Sequence, residues 1–343
     1  MNGYDPAALM QQYRAMQPGD PRMRAIRAAI TEAELAKDDA SLLQFHHDMI
    51  HESVFSGDRY QALVDFPQYL AITHRNPELA AEWTHDTLWM FKWIVEASTE
   101  FYQIEKKQVL QWFSEFRREL LKNGYSLRSW YDKRAIFYQF SDRAKMRFDY
   151  QSFLEAPRDA MSDGETNDLD TQVRFELQTG NREKALAAAD EIFRRHLRTE
   201  EVPCKTYFYL LSDAISRGDL ADAEQYAKPL KQLCSGERFQ LEPIGMMFCW
   251  YALTDPAEGL RFYAQNKALR EGSRNPFLCF WFDRGTERLF RAAADAGLDL
   301  NGQSPDALRE KADALRAACA DIATKFDARN GSEYFSSAVS PTE

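Results

Sequence analysis

Apolar residues recur along this chain at intervals of three and four, as in Leu42, Phe45, Met49 and Ile50. That spacing places them on one face of an α-helix. No convincing run of alternating β-branched residues competes with it. The pattern predicts helices over 6–16, 21–36, 39–55, 58–74, 77–98, 100–122, 126–140, 142–155, 168–179, 181–197, 204–217, 219–233, 242–253, 256–269, 277–296 and 305–327. Asp5-Pro6, Asp20-Pro21, Asn76-Pro77, Asp255-Pro256 and Ser304-Pro305 mark helix starts. Each sets a capping side chain before a proline at the first helical position. Connections are short, so neighbours are expected to pack antiparallel in an all-α fold.

Two stretches break the period. Residues 156–167 (APRDAMSDGETN) are small and polar. They read as a linker or hinge between an aromatic-rich half, 1–155, and a more regular half, 168–327. Residues 328–343 (ARNGSEYFSSAVSPTE) read as a disordered tail.

A short pattern repeats within the helical runs. SGDRYQAL holds Gly57, Asp58 and Ala62; TGNREKAL holds Gly180, Asn181 and Ala185; RGDLADAE holds Gly218, Asp219 and Ala223. LTDPAEGL, with Asp255 and Gly259, is a degenerate fourth copy. Glycine accepts the left-handed backbone that ends a helix. The Asp or Asn caps the next helix. One turn further in, a small residue lets the two helices approach. The glycines at 180 and 218 stand 38 residues apart, a period proper to stacked helical hairpins.

This arrangement resembles the tetratricopeptide-repeat family. Tyr207, Leu210, Leu211 and Ala214 match its first-helix core positions, and Ala223, Ala227 and Leu230 its second. Around Gly57 the matching residues are Met49, Ile50, Ala62 and Phe66; around Gly180 they are Ala185, Ala189 and Ile192. Gln172 and Glu176 depart from the pattern by occupying core positions, and no such repeat occurs between 77 and 155. The resemblance implies an α-solenoid with a right-handed superhelix whose concave face binds protein or peptide. On it, Gln44, His47, His51, Phe55, Arg174, Lys205, Phe208 and Ser212 are the groove candidates. The lysines and asparagines with which some members clamp a partner's C-terminal carboxylates are missing. His47, His51, Asp170, Arg174, Phe208 and Ser212 stand at those places. Arrays of similar length also include bacterial peptide-sensing regulators, but no DNA-binding helix-turn-helix is evident at the N-terminus.

Charge narrows the partners. A net charge of −10 argues against duplex DNA or an anionic membrane, which need a basic face. The arginines at 22, 24 and 27, and at 194, 195 and 198, read as solvated helix faces. Five cysteines without C-x-x-C spacing read as buried thiols. With no signal peptide or membrane span evident, a cytoplasmic protein is expected.

FHHDMIHES carries the most suggestive chemistry. His47 and His51 lie one helical turn apart and can chelate a transition metal if a third ligand arrives. Asp48, Glu52, His74 and His85 are candidates for it. The spacing lacks the glutamate of the H-E-x-x-H hydrolases. The other readings are an ordinary polar helix face and a peptide contact without metal. Between Trp83 and Phe153 aromatic residues crowd together, with Trp89, Trp93, Trp112 and Trp130 as candidates for an aromatic surface; a large core is the competing reading. No phosphate-binding glycine loop and no nucleophile elbow is present. The expected role is therefore a non-enzymatic binding scaffold without cofactor. A metal-dependent enzyme centred on His47 and His51 is one alternative. A structural subunit that self-associates is another.

Overall fold

A computed structural model of the chain describes residues 3–56, 59–234, 236 and 240–339. Gly57, Asp58 and residues 340–343 of the segments above lie outside these. Among the described residues the fold is all-α, with eighteen α-helices, no strand and one isolated bridge between Leu300 and Gln303.

The chain forms two compact units: Met1–Lys133 with Asp159–Met161, and Arg134–Arg158 with Ser162–Glu343. The first contains α1 (Pro6–Arg14), α2 (Asp20–Ala36), α3 (Asp39–Ser56), α4 (Arg59–Arg75), α5 (Pro77–Ala81), α6 (Thr84–Ala97) and α7 (Lys106–Lys122). Helix α8 (Arg128–Tyr138) contributes residues to both. The second contains α9 (Arg143–Glu155), α10 (Glu165–Thr179), α11 (Arg182–Arg194), α12 (Cys204–Ser216), α13 (Leu220–Leu233), α14 (Leu241–Thr254), α15 (Pro256–Glu271), α16 (Pro276–Asp295), α17 (Pro305–Asn330) and α18 (Tyr334–Val339). Helices adjacent in sequence pack as pairs, among them α3 on α4, α10 on α11, α12 on α13 and α16 on α17. In the second unit α10 also touches α12, α12 touches α14, and α14 packs on α16.

The glycine turns do what their chemistry requires. Gly180 and Gly218 adopt φ of +86° and +70°. The amides that follow them bond back to Glu176 O (2.8 Å) and Ala214 O (3.0 Å), satisfying carbonyls that the helix ends leave open. Asp219 and Asp255 then cap the next helices through the amides of Asp222 and Glu258, each at 3.0 Å. Asn181 makes no such cap; its amide instead reaches Glu176 Oε2 at 2.9 Å. Glu176 also accepts from the Tyr150 hydroxyl at 2.9 Å, so this acid is tolerated where the repeat pattern expects an apolar residue. Ala62, Ala185 and Ala223 are buried. A Cβ at Gly259 would lie 2.4 Å from Leu289 Cδ1 and 2.7 Å from Tyr251 Cβ, which explains a glycine in the fourth copy.

Of the five proline-marked starts, Asp5, Asp255 and Ser304 cap through their side chains. Asp20 lies inside α2, and the Asn76 amide is drawn to Asp39 Oδ2 at 2.6 Å. The run expected over 77–98 is two helices, divided at Trp83, whose backbone (φ −100°, ψ 6°) leaves the helical ladder. Arg22 and Arg27 are not merely solvated, because they bond Glu52 and Asp65.

Of the expected linker 156–167, the last three residues belong to α10, and Asp159–Met161 before it make fixed contacts within the first unit. Met161 is buried, its carbonyl accepts from Lys92 Nζ at 2.9 Å, and Asp159 Oδ2 accepts from the Ser126 amide at 2.6 Å. The division between units falls at Lys133/Arg134, inside α8. The disordered tail is corrected too. Helix α17 runs to Asn330, and α18 buries Phe335 against Phe326 (4.6 Å between ring centroids), Phe140 and Phe280. Asp327 accepts from the amides of Phe335 and Ser336 and so holds the start of α18.

Candidate functional site

His47, His51 and Phe55 succeed one another at four-residue steps on α3, as do His85, Trp89 and Trp93 on α6. Each series therefore forms a stripe along one helix face. The two stripes meet. Ring centroids lie 5.9 Å apart for His51 and Trp93, 5.4 Å for Phe55 and Trp93, and 6.4 Å for Trp89 and Trp93. Trp83, at the break before α6, places its ring 5.2 Å from His47. Phe55 remains 49% exposed; Trp83, Trp89 and Trp93 are half-buried. Edge-to-face contacts hold the rings while leaving apolar surface toward solvent.

Polar groups anchor this face from below. Asp48 accepts from Tyr13 Oη (2.7 Å), Arg14 Nη2 (2.8 Å) and Gln44 Nε2 (2.8 Å), and lies 3.1 Å from His47 Nδ1. Burial alone would raise the Asp48 pKa, but hydrogen bonds from His47, Tyr13 and Arg14 prevail and lower it to about 2. An ionised carboxylate only accepts, so Nδ1 of His47 carries the hydrogen. Burial and the neighbouring His47 push the His51 imidazole below its ordinary 6.5, against the pull of Asp48 and Glu52. Beneath Trp89 lies the buried Lys92 ammonium, 3.4 Å from the ring centroid, a desolvated cation–π contact.

The Asp48 network has a measurable consequence. A carboxylate at about 2 when folded and 3.8 when unfolded contributes stability above the unfolded value and loses it as pH falls toward 2. Asp48→Asn is expected to cost roughly 2 kcal/mol near neutral pH. Its difference from wild type should shrink as both are melted in urea at progressively lower pH.

The other expected site residues divide. Gln44 is spent on Asp48. Trp112 and Trp130 are core rather than surface, at 3% and 8% exposed. Trp112 meets Phe66 edge-on, and Trp130 Nε1 donates to Phe113 O at 2.8 Å. In the second unit Arg174 donates to Gln139 Oε1 (3.0 Å) and lies over the Tyr209 ring, Lys205 pairs with Glu201 (2.9 Å), and Ser212 is half-buried. Phe208 is buried and leaves the groove set.

Of the four ligands suggested to complete a metal site, Asp48 is held by Tyr13, Arg14 and Gln44 beside His47, Glu52 and His74 are engaged elsewhere, and the exposed His85 lies against Trp89. Glu52 accepts from the Gly19 amide and Arg22, and His74 pairs with Glu115. No cluster of three or more His, Cys, Asp or Glu among the described residues is arranged to hold a metal ion. Nor is any described helix long and apolar enough to cross a membrane. Sequence reading missed the distant members of these contacts, Tyr13 and Arg14 at Asp48 and the Met161 carbonyl at Lys92, which lie 34 to 69 residues away. No protein-family model matches the chain, and no curated protein matches it.

Proposed function

We propose that this chain is a non-enzymatic binding module for protein or peptide segments, with the ring-lined face of α3 and α6 as its recognition surface. The observation that carries the reading is Phe55, a large ring left 49% exposed. It ends a continuous series running through His51, Trp93 and Trp89. Rigid aromatic side chains of this kind serve as anchors at interfaces. On a chain of net charge −10, they suit a segment bearing apolar or aromatic side chains among basic ones. The glycine turns at 180 and 218, with α10 against α12 and α12 against α14, support a tetratricopeptide-like, right-handed stack in the second unit. Arg174, Lys205 and Ser212 belong to the first helices of its hairpins.

The test is selection of peptides from a random display library against the intact protein, followed by calorimetric titration. Phe55→Ala and Trp93→Ala are each expected to weaken a selected peptide by about tenfold or more without loss of helicity. Affinity should also fall as pH drops below the ordinary imidazole value and His51 takes up a proton. Failure to enrich any peptide, or affinity indifferent to both variants, would sink the proposal.

A further inference from the structure

Helices α12 and α13 pack on one another across the turn at Gly218. A connection this short sets the start of the first helix beside the end of the second. A cysteine stands at each of these ends. Cys204 is the first residue of α12, and Cys234 caps α13. Their side chains meet in a sulfur–sulfur hydrogen bond. Both are free thiols; Cys204 is 5% exposed and Cys234 is half-buried.

The two sulfurs are not equivalent. The hydrogen bond from Cys234 and the charge of Lys205 hold the Cys204 thiol below its ordinary value, against burial and the nearby Glu201 and Asp170. The same bond, with burial, raises the Cys234 thiol. Cys204 therefore ionises first and Cys234 keeps its proton as the donor. The start of a helix favours a thiolate further. Cys279 and Cys319 are placed otherwise. Their Sγ atoms donate to Ser273 O (3.6 Å) and Phe280 O (3.9 Å), and burial raises both thiols, Cys319 to about 12.

We infer that Cys204 and Cys234 form a modification site for small hydroperoxides, which close the pair into a disulfide that thiols reopen. The Cys204 thiolate attacks one peroxide oxygen. The O–O bond breaks, an S–O bond forms, and the leaving oxygen departs as water, so that Cys204 becomes a sulfenic acid. The Cys234 sulfur then attacks the Cys204 sulfur. The S–S bond forms, the S–O bond breaks, and the sulfenic oxygen leaves with the Cys234 proton as a second water. Two thiols and one peroxide thus give one disulfide and two waters. A reducing dithiol reverses the step by exchange and leaves as its own disulfide. Once closed, the bond ties α12 to α13 at the end opposite the Gly218 turn, where the two helices can then no longer part.

The test exposes the intact, fully reduced protein to hydrogen peroxide under native conditions. Remaining thiols are blocked with N-ethylmaleimide as the protein is unfolded, and unreduced proteolytic peptides are weighed. A joined pair of peptides containing Cys204 and Cys234 is expected, two hydrogens lighter than the two together and lost on treatment with dithiothreitol. It should form at least about tenfold faster than Cys249, Cys279 or Cys319 is oxidised. Cys234→Ser should stop at a Cys204 sulfenic acid, which dimedone traps during unfolding, and Cys204→Ser should leave Cys234 a thiol. The inference is overturned if no such joined pair forms, or if it forms no faster than the other three thiols are oxidised. It is overturned equally if Cys204 resists peroxide in Cys234→Ser, or if Cys234 is oxidised in Cys204→Ser as fast as in wild type. Where a variant does not fold, the wild-type peptides decide alone.

Discussion

Gly285→Ala is expected to lower the thermal midpoint of the second unit by roughly 6–12 °C, corresponding to about 3 kcal/mol. Where α14 crosses α16, the helices meet backbone to backbone. A Cβ built on Gly285 would lie 2.1 Å from Gly245 O, and one on Gly245 would lie 2.4 Å from Trp281 O. Carbonyls cannot swing aside as side chains do, so the helices would have to separate. The sign is diagnostic. In an uncrowded helix the same change would stabilise by about 0.5–1 kcal/mol, because alanine restricts the unfolded chain. Gly259→Ala provides the comparison. Its obstacles are the movable Leu289 Cδ1 and the Tyr251 Cβ at 2.7 Å rather than a backbone carbonyl, so a loss is again expected by differential scanning calorimetry, but a smaller one. A Gly285→Ala protein as stable as wild type would mean that this crossing is not tight.

Asp149→Asn is expected to stabilise the protein above neutral pH and to have little effect in acid. Asp149 is fully buried on α9, and neither carboxylate oxygen has a hydrogen-bond partner among the described residues. Arg134 Nε stands 3.4 Å from Oδ2. Burial raises the carboxyl to about 6 from 3.8, outweighing the opposing charges of Arg134 and Lys145. A folded-state pKa above the unfolded one favours the fold fully below the unfolded value, and that contribution is lost as pH climbs through the folded value. The gap corresponds to roughly 3 kcal/mol. The midpoint difference between Asp149→Asn and wild type should therefore grow from near zero at about pH 4 to several degrees at about pH 7.5. A variant less stable than wild type at every pH would show that the Arg134 contact outweighs burial.

What the amino-acid order reveals here is mostly local. Glycine turns, buried alanines and three of five proline-marked caps depend on a few consecutive residues, and the structure contains them as expected. The polar tail was harder to read. Phe335 is the one phenylalanine in a mostly polar stretch, and its burial among Phe140, Phe280 and Phe326 shows why α18 forms. Trp112 could have been assigned to the core, since it shares a helical face with Val109, Phe113, Phe116 and Leu120, all buried. Trp130 offered no such clue, because its indole is satisfied by a carbonyl 17 residues earlier. In the candidate site, His47, His51, Phe55, Trp89 and Trp93 were legible from four-residue spacing. That α3 and α6 bring the two stripes together was not, since periodicity orients a helix without choosing its neighbour.

The three residues Asp159–Met161, inserted into the first unit from a stretch that otherwise belongs to the second, limit how the protein can be dissected. A fragment ending at Lys133 would lack the Met161 carbonyl that receives the Lys92 ammonium and the Asp159 carboxylate that receives the Ser126 amide. Neither half should be obtained intact by a single cut, and limited proteolysis within 156–164 would damage the amino-terminal unit from a site lying after its main segment has ended.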